Sequence, residues 1–319
     1  MPQQHAVSPH WGSSRVRSST LRSDVAFWQP HLQRILERHG LDDAGQLPDV
    51  GYNSSYPTFV YGEFVVKLFG QAPNWRTGFW AEQGALRLVG SDPRILAPRL
   101  LASGELFPDD EDAAWPYLVT SLMPGVPWWR ANLTLQEQQR VARELGAQLR
   151  LVHALPPVGV ATDADWAGVN VTEGARRSSL PAHLVAQAAA YVAQLGPPER
   201  VFLHGDLVAN HTYVADGQLV GIIDWGDALV SDRHYELGQI HRDIFDCDTA
   251  LLRAFLQGYD WPVGPDFPHL ALGHALRRQA IGLVQHVSID LFEPIAAKFP
   301  LHDIATLAEL AQLVFGVNP

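Results

Sequence analysis

The chain is short of several things. It has one cysteine, Cys247, in 319 residues. That excludes an internal disulfide and fits a reducing compartment, so a cytoplasmic location is expected. No apolar run approaches the roughly 18 residues that a membrane-spanning helix needs. Positive charge is also short: 23 Lys and Arg stand against 34 Asp and Glu, for a formal net charge of −11. A nucleic-acid partner, whose phosphates demand basic side chains, is disfavoured. From Val201 onward there are 15 acids against 6 Lys and Arg, a surface suited to a cationic small molecule.

Lysine is the scarcest of the common polar residues, with only Lys67 and Lys298. The chain writes its other positive charges as Arg, whose wide planar fork cannot replace a compact ammonium everywhere. A lysine kept inside the apolar run 64-FVVKLF-69 is therefore a candidate functional group. The next carboxylate after it is Glu82, the only acid between Leu68 and Ser91, in a segment with helical spacing at Leu86 and Val89. The alternative for each is a solvent-facing strand lysine and a solvent-facing helix glutamate.

The most informative stretch is 201-VFLHGDLVANHTYVADGQLVGIIDWGDALV-230. His211–Val214 is rich in β-formers, Asp216-Gly217 is a tight-turn signal, and Leu219–Ile223 is a short apolar run. Such a hairpin brings its ends together, so Asp206 and Asp224 are expected side by side at its open end. Two carboxylates so placed repel unless a cation or proton lies between them.

This stretch resembles the catalytic segment of the aminoglycoside phosphotransferase family, relatives of the protein kinases. The resemblance rests on His204-Gly205-Asp206 and Asp224-Trp225-Gly226, with weaker support from Lys67 and Glu82, and it covers roughly Val50 to Leu310. It implies an α+β, two-lobed, protein-kinase-like fold. A small β-rich N-lobe with one helix would span 24–123, and a larger, mainly helical C-lobe 124–319. Residues 1–23, with three Arg and no acid, are expected to be a disordered or flexible tail.

By the same resemblance Asp206 is the catalytic Asp and Asp224 the Mg²⁺ ligand. Five residues past Asp206, where the family has Asn, this chain has His211. Asn210 comes one position early, so either residue can be the second metal ligand, and His211 would admit Mn²⁺. Lys67, held by Glu82, would contact the phosphates of ATP or GTP. The turn with Gly51, Ser54 and Ser55 would approach those phosphates through its backbone, and Ser121–Met123 would face the base. His204 and Asp232 would support the catalytic loop. Glu236, Asp243 and Asp246, with Asp248, would form an acidic wall for the acceptor.

The implied activity is transfer of the γ-phosphate to a hydroxyl of a small, cationic molecule such as an aminoglycoside or related amino sugar. The protein would act as a monomer or homodimer, without a nucleic-acid or membrane partner. Two other readings remain open on the residues alone. A metal-dependent hydrolase could use His204, Asp206, His211 and Asp224, which leaves Lys67 and Glu82 without a role. A nucleotide-binding pseudokinase is motivated by His211, and ATP binding without turnover would distinguish it.

Overall fold

The computed structural model describes residues 22–41, 47–51, 55–70, 75–108, 114–162, 169–284 and 290–317. Residues 1–21, where the tail was expected, and Ser54 lie outside them. The chain divides into two compact units. The first comprises residues up to Ser91 together with Ala97–Met123; the second comprises Asp92–Leu96 and Pro124–Pro319. The first is β-rich and the second mainly helical, an α+β architecture.

In the first unit, five strands form one sheet: β1 (Asp49–Val50), β2 (Thr58–Tyr61), β3 (Phe64–Leu68), β4 (Leu100–Glu105) and β5 (Pro116–Ser121). Their order is β1-β2-β3-β5-β4. Helix α1 (Val25–Arg38) begins at Asp24, which accepts the Phe27 N–H at 3.0 Å. Its residues Trp28, Leu32, Ile35 and Leu36 recur at helical spacing and bury one stripe. They pack with Phe59, Val66, Leu68, Trp115, Tyr117 and Val119 of the sheet. Strand side chains alternate, so Lys67, between Val66 and Leu68, points to the other face. Helix α2 (Trp75–Val89) supplies Glu82 on that face, bonded to Lys67.

In the second unit, β6 (Val126–Pro127), β8 (Thr212–Ala215) and β9 (Gln218–Ile222) form one small sheet, and β7 (Val201–Leu203) pairs with β10 (Leu229–Ser231). The expected hairpin is β8–β9, paired from Thr212↔Ile222 to Ala215↔Gln218 with a one-residue register shift between Tyr213 and Val214. Its turn holds Asp216 at φ 49° and Gly217 at φ 68°, the left-handed pair that a two-residue hairpin demands. Helix α3 (Leu135–His153) opens with a capping box formed by Thr134 and Glu137. It packs against α5 (Thr249–Tyr259). A short α4 (Val171–Arg176) and α7 (Leu307–Phe315) both pack on the long α6 (Phe267–Val284).

Three segments are shaped by local caps and breaks. Helix α4 stands in a Pro- and Gly-rich stretch because Asn170 caps it by accepting from Glu173 N at 3.0 Å. The segment 233–245 is a 3₁₀ turn, a single helical turn and a π turn in succession. Helix α7 begins at Leu307, where Thr306 caps it.

The crossing of α3 and α5 is set by glycine. A Cβ on Gly146 would collide with the Phe255 carbonyl, and one on Gly258 with the Arg143 carbonyl. The backbones touch directly, so neither position tolerates even a methyl group. Gly258→Ala is expected to destabilise the fold by about 1–3 kcal/mol, the range for overpacking. Chemical denaturation of the variant against the parent protein checks this, and an unchanged midpoint would contradict it.

Candidate active site

The loop 204–211 joins β7 to β8, and its backbone groups are held one by one. Gly205 donates its N–H to Glu236 Oε1 at 2.8 Å, and its carbonyl accepts from Arg278 Nη1 at 2.6 Å. Gly205 has φ 86°, and a Cβ there would meet the Asp227 carbonyl. Only glycine suits that conformation and that closeness. Asp206 donates its N–H to His204 Nδ1 at 3.2 Å, and its carbonyl accepts from His211 Nδ1 at 2.7 Å. Ala209 N–H reaches Asp243 Oδ1 at 2.7 Å.

His204 is fully buried, and its Nε2 lies 2.9 Å from the Ile223 carbonyl. A carbonyl only accepts, so Nε2 carries the proton and Nδ1 is free to accept from Asp206. Burial lowers the His204 pKa, which keeps the ring neutral in this bracing role. Trp225 is also fully buried. It donates Nε1–H to Ile222 O at 3.0 Å and stacks on Phe202 with ring centroids 6.0 Å apart. It therefore anchors the turn that carries Asp224, whose φ is 63°.

The same donor argument applies to His211. Its Nδ1–H is committed to the Asp206 carbonyl, so the neutral ring has its lone pair on Nε2. That nitrogen lies 3.4 Å from Asp224 Oδ2, while Nδ1 lies 3.8 Å from Asp206 Oδ2. His211 thus stands between the two carboxylates. A neutral imidazole has one donor and one acceptor, so with its N–H on the loop the Nε2 lone pair is left for a ligand. Asn210 is exposed, and among the described residues no hydrogen bond ties it to either carboxylate. An aspartate oxygen and an imidazole nitrogen facing each other form a donor set that fits a divalent cation.

In the first unit, Lys67 Nζ lies 2.6 Å from Glu82 Oε2. The ammonium sits 5.6 Å from the Tyr56 ring centre and 5.5 Å from that of Phe69. Neither side chain is the solvent-facing residue of the alternative reading: Lys67 is 12% and Glu82 9% exposed. Gly51 N–H bonds to Thr58 O at 2.7 Å, and Ser55 is exposed. At the end of β5, Ser121 N–H goes to Arg99 O and Leu122 N–H to Glu63 O.

One acceptor-side expectation needs correction. Glu236 is 2% exposed. One of its oxygens accepts Gly205 N–H and the other lies 3.1 Å from His153 Nε2, so it faces the interior and braces the loop 204–211. Glu236 follows directly on the 3₁₀ turn Arg233–Tyr235. Asp232, expected to support that loop, instead accepts Glu199 N–H and His234 N–H and lies beside His274. Asp246 pairs with Lys298 at 2.6 Å, and Asp248 caps α5. Asp243 remains exposed, with Oδ1 on the loop.

Two residues with a direct bearing on Asp206 were not singled out from the sequence. Gln239 Nε2 lies 2.6 Å from Asp206 Oδ1, and Arg278 Nη2 lies 3.6 Å from the same oxygen. Gln239 follows Glu236 by three residues, the spacing that shares one helical face. Arg278 is a charge inside an apolar helix, the signal that exposed Lys67.

Residues 59–271 match the model of the phosphotransferase enzyme family. The fold is similar to the GDP complex of wild-type aminoglycoside 2'-phosphotransferase-IIIa, at 17% identity and a TM-score of 0.64, covering 86% of this chain and 100% of that one. It is also similar to macrolide 2'-phosphotransferase from Brachybacterium faecium, at 18% identity and a TM-score of 0.58, covering 90% and 98%. A third similar structure is a streptomycin–ATP ternary complex of APH(2")-IIa, at 15% identity and a TM-score of 0.54, covering 78% and 86%. At these identities the likeness is one of fold.

Burial pushes the Glu236 carboxyl up, but the His153 hydrogen bond, the nearby imidazoles and the Gly205 N–H outweigh it, and its pKa ends below the usual glutamate value. A carboxylate with a depressed native pKa contributes stability above its unfolded pKa, and loses it as pH falls through the native value. Glu236→Gln is therefore expected to be less stable than the parent by about 1–3 kcal/mol near neutrality. The gap should narrow as pH drops below about 4.3, the ordinary glutamate value. Denaturation midpoints across that range check it; a gap independent of pH would contradict it.

Proposed function

The chain belongs to the phosphotransferase enzyme family and is a small-molecule kinase, and from that premise we propose that it moves the γ-phosphate of ATP or GTP to a hydroxyl of an amino sugar. The observation that carries the reading is the convergence of Asp206, His211 and Asp224 on one hairpin base, with His211 3.4 Å from Asp224 and 3.8 Å from Asp206. The Lys67–Glu82 pair supports a kinase over a metal-only hydrolase, which would leave a half-buried, ion-paired lysine without work.

The roles follow from the chemistry of each group. Lys67, held by Glu82, neutralises the α- and β-phosphates; a wider guanidinium would not fit between Tyr56, Phe69 and Glu82. Gly51, Ser54 and Ser55 would meet the phosphates through backbone N–H groups. Ser121 and Leu122 have spent their N–H groups within the sheet, so the donor toward the base falls to Met123, with the Ser121 carbonyl as acceptor. Asp224 and His211 would hold the Mg²⁺ or Mn²⁺ ion, which when bound offsets negative charge on the β- and γ-phosphates.

Asp206 orients the acceptor hydroxyl. The hydroxyl oxygen forms a bond to the γ-phosphorus as the bond to the β–γ bridging oxygen breaks. The nucleoside diphosphate leaves, and the hydroxyl proton passes to Asp206. For the acceptor, two similar structures hold kanamycin and streptomycin, and this chain presents Asp243 beside the catalytic loop. Both favour an amine-bearing sugar.

An acceptor screen scored by nucleotide-dependent phosphate transfer tests the reading, with Asp206→Asn as control. We expect transfer to at least one amino sugar, and loss of about 99% or more of it in the variant. Transfer that survives Asp206→Asn above about a tenth of the parent rate would remove Asp206 from its role.

Imidazole suits Mn²⁺ better than Mg²⁺, which prefers oxygen. The parent enzyme is therefore expected to turn over with Mn²⁺ at least as well as with Mg²⁺. His211→Asn should shift the preference toward Mg²⁺, and Asn210→Ala should leave it unchanged. Steady-state rates with each ion decide; an unaltered preference in His211→Asn would exclude the imidazole from the metal.

A further inference from the structure

The two oxygens of the Asp206 carboxylate live in different surroundings. Oδ1 receives the Gln239 amide at 2.6 Å and has the Arg278 guanidinium at 3.6 Å. Both of those side chains are buried, at 3% and 8% exposure. Oδ2 is the oxygen turned to His211, at 3.8 Å, and the Asp206 side chain as a whole is 33% exposed. Gln239 has only one sensible orientation, since its amide oxygen against a carboxylate would repel it. Its own Oε1 is buried without a hydrogen-bond partner among the described residues. An orphaned acceptor is tolerated there because the charge-assisted bond on the other end of the amide is stronger than a neutral one.

Arg278 is held independently of Asp206. Its Nη1 donates to the Gly205 carbonyl at 2.6 Å and its guanidinium lies 4.5 Å from the Tyr235 ring centre. It comes from α6, whereas Gln239 comes from the turn after Glu236, so two separate elements fix the same oxygen. Gln239 is not placed by the requirements of the loop backbone, whose groups Glu236, His204, His211 and Arg278 already meet.

We propose that Gln239 is a positioning residue that makes Asp206 a one-oxygen base: Oδ1 is held inward by Gln239 beside Arg278, and the acceptor hydroxyl gives its proton to Oδ2. This rests on the function proposed above and adds to it which oxygen acts and what aims it. The hydroxyl then lies on the His211 side of the carboxylate, the side of Asp224. A carboxylate free to rotate would present either oxygen, and much of the time neither in line for transfer. The loss on removing Gln239 therefore falls on turnover and not on nucleotide binding.

Two measurements test it. In ¹⁵N-labelled protein, the side-chain amide protons of Gln239 are expected to shift between the parent and Asp206→Asn, because the charged acceptor is replaced by a neutral one. In kinetics, Gln239→Met, which keeps length and bulk but removes the donor, is expected to lower kcat by about 10- to 100-fold with the nucleotide KM unchanged. Gln239→Glu, which sets a carboxylate against Asp206, should lower it too, and it serves if the Met variant does not fold. A folded Gln239→Met or Gln239→Glu enzyme with the parent kcat would overturn the proposal. So would a Gln239 amide signal indifferent to Asp206→Asn. A parent protein that phosphorylates no acceptor strikes at the proposed function alone, and the amide resonances still decide whether Gln239 holds Asp206.

Discussion

A buried carboxylate organises the second unit. Glu236 has almost no access to water, so its charge must be met by protein donors or it would not remain a charge. The Gly205 N–H and the His153 ring meet it, at 2.8 and 3.1 Å. The first of these fixes the loop one residue before Asp206; the second ties the loop to α3, and His153 in turn bonds Tyr259 of α5 at 2.8 Å. The helix pair that meets at Gly146 and Gly258 is thereby connected to the catalytic turn through one side chain.

Much of this was legible in the sequence wherever the determining interaction is local. The Asp216-Gly217 turn declares itself because few residues accept φ > 0 in succession, and the hairpin follows from it. Lys67 and Glu82 were legible through scarcity, since a chain nearly without lysine kept one in a strand and offered one acid to meet it. What was not legible depends on contacts between distant segments. Glu236 looked like a surface acid because its partners, Gly205 and His153, lie in distant segments. Gln239 and Arg278 become neighbours of Asp206 only when the segment after Asp232 and helix α6 are brought to the loop.

The surplus of acid in the second half of the chain also changes meaning. It suggested an attractive surface for a cation, yet many of those carboxylates are engaged with the protein itself. Asp232 and Asp290 accept backbone N–H groups, Asp248 caps a helix, and Asp246 meets Lys298. Asp246 and Asp248 stay exposed even so, and share their charge with the partner each meets. The smaller set beside the loop, Asp206, Asp224 and Asp243, is what an incoming ligand would meet, and Arg278 stands behind the first of these.

The π turn at Ile240–Ile244 closes with Phe245 N–H on the Ile240 carbonyl at 3.1 Å, spanning five residues where an α-helix spans four. Gln239 just before it bonds Asp206, and Asp243 within it bonds Ala209, so one irregular turn reaches the loop at two points. An α-helix advances by about 100° per residue, so losing a single residue here would restore regular winding and swing one of the two contacts away from the loop. The constraint on this segment is therefore one of length as much as of composition. Substitutions among its apolar residues leave the spacing alone, whereas a one-codon deletion, tolerated in most surface loops, would cost the loop one of these two supports.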